Sequence, residues 1–380
     1  MPFICAVLVF LSWSLSAHAT PREALQKASP SREKVAFLAS FTSPVTSHVL
    51  TDLNLEKGYR VFAHVHPDFE KSIEVIKFDN QGEPKNIPGQ VDKIVASKIR
   101  YVLGVSKTSQ ALVAAPLSDQ HGFLMLTPLA TNDKVTENHG LVARACFSDS
   151  QQGKTLARFA LSELKAKRVL VLTNVDTPYS IGLSQTFRLG VEKRATVREL
   201  KYAADDIRVA ALEAEIAQYK PDLVFIPDYV NTASLLIKEL YRIDPKLTLL
   251  GGDGWGGREV LDPTIKPMPN LRAFYTTVWN QGLSAPVNRV FVKAHLKVFP
   301  AEAVSIGAAT MYDTLTIFWD AYQAAKAPKT PQSVKAQLLA KSFNTTTGTI
   351  RFTDPKDLTP ARKVVIIRLN AGKHELYKSF

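Results

Sequence analysis

The strongest constraint on the fold is a repeated alternation. Short β-branched runs follow one another with longer amphipathic stretches between them. The runs are "KVAFLAS" (34–40), "IEVIKFD" (73–79), "RYVLGV" (100–105), "GFLMLTP" (122–128), "RVLVLTN" (168–174), "DLVFIPD" (222–228) and "LTLLGGD" (247–253). Helical patterns lie between them, among them "TSQALVAAPLSDQ", "QQGKTLARFALSELKA", "VAALEAEIAQYK" and "NTASLLIKELYRI". Strand and helix in turn predict an α/β chain with parallel sheets covered on both faces. The segment after each strand is short and polar: "SKTS", "LATND", "VDTPYS", "DYVN", "GDGWGG". In doubly wound sheets these loops share one edge, and ligands bind there.

At 380 residues the chain exceeds what one hydrophobic core organises. Beyond residue 270 the pattern changes. "FYTTVW", "TGTIRF" and "KVVIIRL" read as strands, and two long helical stretches occupy 284–299 and 302–327. Two lobes with more than one crossing between them are expected. The first 20 residues, "MPFICAVLVFLSWSLSAHAT", carry a short apolar core and a small-x-small site at Ala17-His18-Ala19. That pattern predicts a signal peptide over 1–19 and export to the periplasm. Cleavage leaves Cys146 as the one cysteine, so no internal disulfide is expected. The net charge of +12 is spread over separate basic runs without interleaved aromatics, which argues against nucleic acid as a partner.

Enzymatic motifs are missing: no G-x-S-x-G, no phosphate-binding G-x-x-x-x-G-K-[ST], no H-E-x-x-H. His64 and His66 have no acidic or cysteine cluster beside them, so no metal and no cofactor are expected. Hydroxyls recur where strands end and helices begin. Ser106, Thr108 and Ser109 do so in one loop, Thr127 and Thr131 in another. Helix starts with free N–H groups suit an anion, although Ser and Thr there also serve as plain N-caps. Tyr179 and Tyr229 stand in polar loops, where a tyrosine suits a half-wet wall. Asp253 sits among five glycines in "LLGGDGWGG", with Trp255 two residues on. The glycines are expected to let the backbone approach a ligand, with Trp255 packing beside it.

Seven segments in order carry a resemblance: "LMLTPLATNDKVT", "CFSDSQQGKTLARFA", "DTPYSIGLSQTF", "PDLVFIPDYVNTASLLIKEL", "LLGGDGWGG", "AATMYDTLTIFWDA" and "FNTTTGTIRF". From about Lys34 onward the chain resembles type I periplasmic solute-binding proteins, in the branch of the Leu/Ile/Val-binding proteins of ABC transporters. The resemblance implies two doubly wound α/β lobes with a ligand cleft between them. Lobe 1 is expected over 31–147 and 281–345, lobe 2 over 148–280 and 346–380. Three hinge crossovers are expected, near 147–150, 279–284 and 344–349. The function implied is capture of a small ligand, an amino acid or a related amine or carboxylate, for delivery to a membrane permease. A sensing role, a scaffold that binds a protein and an exported enzyme are the alternatives. The resemblance also assigns the site. Thr108, the Leu129 backbone and Thr131 would hold a carboxylate, and Asp253 an ammonium. Tyr179 would close over the ligand with Tyr229 nearby, and His48 would wall the side-chain pocket. Lys107 and Asp228 add charges that the family pattern lacks.

Overall fold

The computed structural model describes residues 32–43, 46–203, 205–370 and 372–380, and side chains within these except at 46–50 and 258–260. The expected signal segment lies outside the described residues.

Lobe 1 begins with β1 (Glu33–Ala39), α1 (Thr46–Val65), α2 (Pro67–Ser72), β2 (Ile73–Asp79), α3 (Ile87–Ala96), β3 (Tyr101–Gly104), α4 (Thr108–His121), β4 (Leu124–Thr127) and β5 (Val142–Arg144). The five strands form one parallel sheet in the order β2-β1-β3-β4-β5. Successive side chains of a strand point to opposite faces, and both faces of β1 are dry. Val35, Phe37 and Ala39 enter one core, while Ala36 and Leu38 enter another.

Lobe 2 continues with α5 (Asp149–Ser162), β6 (Arg168–Asn174), α6 (Pro178–Val191), β7 (Thr196–Tyr202), α7 (Val209–Tyr219), β8 (Leu223–Ile226), α8 (Val230–Ile243), β9 (Thr248–Gly251), α9 (Arg258–Ile265) and β10 (Arg272–Thr277). The chain then returns to lobe 1 through α10 (Pro286–Val298), α11 (Ile306–Ala324), α12 (Pro331–Ala340) and the hairpin β11 (Ser342–Thr345) and β12 (Gly348–Arg351). It finishes in lobe 2 with β13 (Val365–Asn370) and β14 (Lys373–Ser379). The second sheet runs β14-β13-β10-β9-β8-β6-β7, with the last two strands of the chain antiparallel to their neighbours.

One boundary differs from the sequence reading. Phe343, Ile350, Phe352 and Leu358 pack into the lobe 1 core, and Leu358 bridges Ala143 at the sheet edge. The final crossing therefore falls between Leu358 and Val365, later than 344–349. The apolar residues of the hairpin are covered only by lobe 1, which holds it there. Asp313 of α11 fastens the same region, accepting from the Thr346 backbone N–H at 2.7 Å and from Arg362 at 2.7 Å. No helix among the described residues is long and apolar enough to cross a membrane.

Candidate ligand-binding cleft

The loops that follow β3, β4, β8 and β9 meet where the two sheets present their C-terminal edges to each other. After β3 the chain must turn sharply. Gly104 has φ +118, and a Cβ there would stand 2.3 Å from the Leu38 carbonyl oxygen. Val105 follows at φ 60, a conformation that costs a β-branched residue strain. It is held by its own N–H to the Leu38 carbonyl at 2.7 Å, and its carbonyl accepts from Thr127 Oγ1 at 2.8 Å. This turn delivers Lys107 and Thr108 to the head of α4.

Asp253 stands opposite, in a 3₁₀ turn after β9. Its Oδ1 accepts from Gln152 Nε2 and from the Tyr179 hydroxyl, both at 2.9 Å. Gln152 grips the same residue a second time, its Oε1 accepting from the Asp253 N–H at 2.8 Å and also from the Thr276 hydroxyl. The Tyr179 hydroxyl accepts from the Gly254 N–H at 2.9 Å. Burial in the cleft raises the Asp253 carboxyl above the usual carboxylate range, and these donors only partly offset it.

A cavity of about 70 Å³ separates the lobes, lined by Lys107, Leu129 and Ile306 from lobe 1 and by Tyr229, Asp253 and Gly254 from lobe 2. It has room for a few waters. The lobes touch around it. The Lys107 ammonium lies 4.1 Å from the centre of the Tyr229 ring. Asn132 Nδ2 donates to the Pro178 carbonyl at 3.1 Å. The cleft is closed, with the Tyr229 ring against Lys107 at the head of α4. A larger cavity of about 440 Å³ lies on the outside of lobe 2, but its Arg188 and Thr173 are already paired with Glu199.

The residues expected at the site are divided by the structure. Leu129, Tyr229 and Asp253 line the cavity, and Thr108 is buried at the start of α4, beside Lys107. Tyr179 lies behind Tyr229, stacked on it with ring centres 4.9 Å apart, and is buried. Tyr229, not Tyr179, therefore faces the cleft. The Thr131 hydroxyl is turned inward, against the carboxyl of Asp149 and without a well-formed hydrogen bond. His48 falls within α1, but its side chain lies outside the described residues. Trp255 is corrected: it is fully buried in the lobe 2 core, its indole N–H donating to the Ile226 carbonyl at 3.0 Å. The role expected of the glycines changes with it. A Cβ at Gly251 would stand 2.1 Å from the Trp255 ring, and one at Gly252 would stand 2.4 Å from the Tyr179 hydroxyl. These two glycines make room for lobe 2's own aromatic rings. Asp228 also turns away from the cavity, accepting from Asn174 at 2.9 Å and from Tyr202 at 2.5 Å.

Sequence reasoning gave no role to four residues that build the site. Gln152 is one. Arg144, fully buried, donates to the carbonyls of Ala130 and Asn132 at 3.0 and 2.9 Å and so pins the loop that carries Leu129 and Thr131. Asp52 accepts from the Ser106 hydroxyl at 2.6 Å, which takes that hydroxyl out of ligand binding. Asp149 is buried with neither carboxyl oxygen hydrogen-bonded, and burial pushes its carboxyl well above the usual range.

Two lobes of this topology, facing across a closed polar cleft, match a known family over most of the chain. A family model described as a periplasmic binding protein covers residues 68–374. The chain belongs to the periplasmic binding protein family. The Leu/Ile/Val-binding protein BraC3 of Rhizobium johnstonii is 27% identical over 301 residues, covering 78% of this chain and 80% of that protein. The Leu/Ile/Val-binding protein of Escherichia coli K12 is 21% identical over 338 residues, with 86% and 88% covered. Among solved structures, the leucine binding protein LivK of Thermotoga maritima superposes with TM-score 0.82 at 23% identity, covering 92% of this chain and 98% of that one. A solute binding protein from R. palustris in complex with 4-hydroxybenzoate gives TM-score 0.81 at 17% identity, with 92% and 97% covered. At these identities the structural matches establish the fold. These relatives of the binding protein are named for the solutes they bind, not for a reaction.

Proposed function

We propose that this periplasmic binding protein is an exported receptor that closes its lobes on an amino acid, or a related amine or carboxylate, and presents it to the permease of an ABC transporter. The observation that carries this reading is the polarity of the cleft. Its lobe 2 wall presents the Asp253 carboxylate, and its lobe 1 wall presents the Lys107 ammonium and the N–H groups at the start of α4. A zwitterion laid across the cavity meets an opposite charge at each end. Leu129 and Ile306 supply an apolar wall beside it. A second reading, an aromatic carboxylate, is favoured by the Tyr229 side chain in the cavity wall and by the 4-hydroxybenzoate of the R. palustris neighbour.

The test is a thermal-shift panel of amino acids, their amides and simple carboxylates, because a ligand that binds only the native state raises its stability by mass action. A specific rise of the melting temperature with amino acids supports the reading. A rise with benzoate and none with amino acids selects the second. Small-angle scattering with and without the ligand so found should show the lobes closing.

A further inference from the structure

We propose that a second cavity, beside the crossing from β10 to α10, is the far half of the ligand site and takes a long, uncharged side chain that ends in a ring. This rests on the receptor reading and names the side-chain class within it.

The cavity between Lys107 and Asp253, about 70 Å³, is small for a solute with more than a short side chain. Pockets that hold small molecules run to roughly 300–1,000 Å³. Further space adjoins it. A cavity of about 190 Å³ shares Gly256 and Ile306 with the first and continues past them to Tyr275, Trp279, Val304 and His374. Among the described residues none of α1 lines it, so it is separate from the wall expected at His48.

The passage between the two cavities is a contact between the lobes. Gly256 follows the 3₁₀ turn of Asp253 in lobe 2, and Ile306 is the first residue of α11 in lobe 1. A Cβ on Gly256 would stand 3.1 Å from Ile306 Cγ2. These two residues shut the passage when the lobes are fully together, and a slight parting of the lobes opens it. Gly256 has φ −67, which any residue adopts, so the backbone does not ask for glycine here. The space does.

The walls decide what fits. The Trp279 indole N–H donates to Asn288 at 2.6 Å, and the Thr277 hydroxyl donates to the Trp279 carbonyl at 3.0 Å. Ser305 caps α11, accepting from the Ala308 N–H at 3.2 Å. His374 is engaged at both ring nitrogens, with the Tyr275 hydroxyl at 2.8 Å and with Asp262 at 2.6 Å. Among the described residues no Asp, Glu, Lys or Arg lines this cavity. Its deep polar groups are spent on the protein, and a ligand meets the rings of Tyr275, Trp279 and His374 with Val304 and Ile306. An ionised side chain there would lose water and gain no partner. A ring would pack against rings. Gln281 and Gly282 are exposed and mark the mouth through which displaced water leaves.

The experiment is calorimetry on wild type, Gly256→Ala and Ile306→Ala with valine, leucine, phenylalanine, tryptophan, glutamate, lysine and benzoate. Phenylalanine or tryptophan should bind wild type roughly tenfold or more tighter than valine, the gain expected from burying a ring. Glutamate and lysine should bind more weakly than that ring. The ratio of the ring's affinity to valine's should fall roughly threefold or more in Gly256→Ala, where a methyl group narrows the passage, and should rise in Ile306→Ala, where the passage widens. Opposite shifts of one ratio cannot come from variants that merely fold poorly. If valine, leucine or a charged side chain binds wild type as tightly as the rings do, the proposal is overturned and the receptor reading stands. The same holds if the two variants do not move the ratio in opposite directions. Benzoate bound with no amino acid bound also overturns the proposal and selects the second reading. If nothing in the panel binds, both fall.

Discussion

Gln152→Leu is expected to be among the most damaging single changes in lobe 2. The side chain is fully buried, and leucine nearly fills the same volume, so the effect is polar and not a cavity. The substitution removes the amide donor to Asp253 Oδ1. A hydrogen bond to a charged group contributes roughly 1.5–3 kcal/mol. It also leaves the Asp253 N–H and the Thr276 hydroxyl without their acceptor, at roughly 1–3 kcal/mol for each buried group left unmatched. These terms overlap, and a total of roughly 3–6 kcal/mol is expected. Against a total stability of roughly 5–15 kcal/mol that is a large fraction. Urea unfolding should show a lower midpoint with little change of slope. A loss below about 1 kcal/mol would refute the clamp, since it is smaller than one ordinary buried hydrogen bond left unmade. Gln152→Glu gives the internal control. It keeps an acceptor for both donors but sets a second carboxyl beside Asp253, and two such groups share a proton. The folded pair then holds a proton that the unfolded chain releases. Stability is kept in acid and is lost as pH rises through the folded value.

Two further outcomes follow from the same geometry. Gly252→Ala should destabilise by about 1–3 kcal/mol through overpacking, because its Cβ would stand 2.4 Å from the Tyr179 hydroxyl and 2.6 Å from Leu183; a melt equal to wild type would show that the aromatic pair yields freely. Asp149 is raised by burial, so its contribution is fully present below the unfolded carboxyl value of about 4 and is lost as pH rises through its folded value. Asp149→Asn, which does not titrate, should therefore melt above wild type at neutral pH. The difference should shrink towards zero in acid, and a constant offset across pH would contradict it.

Much of the fold was legible because it rests on local pattern. Runs such as "KVAFLAS" and "DLVFIPD" are buried on both faces, and that leaves a signature in the chain. The strand β7 was harder to see. It is an edge strand whose residues alternate between exposed and half-buried, and "ATVRELK" reads as a basic solvated surface. The hairpin β11–β12 was half seen, because Ser342–Thr345 carries one apolar residue, Phe343, and takes its strand form from pairing. At the site, Asp253 stood out by its glycines, yet the reason for them did not. Trp255 is buried by a single 3₁₀ turn, too short a feature for periodicity to assign a face. Gln152 reaches Asp253 across 101 residues of sequence, and Arg144 acts through backbone carbonyls that no side-chain pattern announces. Partners of that kind are set by tertiary packing alone.

The proposed binding mode is a zwitterion held between Asp253 and the head of α4. It is tested most directly by calorimetry on wild type and Asp253→Ala with the amino acid that most raises the melting temperature, and with its deaminated analogue. Removing one member of a buried pair costs roughly 3–5 kcal/mol, and each 1.4 kcal/mol is about tenfold in affinity. Asp253→Ala should therefore weaken the amino acid by at least about a hundredfold. The analogue should bind wild type poorly and lose little further in the variant. If the analogue binds wild type as tightly as the amino acid does, or if Asp253→Ala leaves the amino acid's affinity unchanged, Asp253 is not an ammonium site and the ligand is not held in this way.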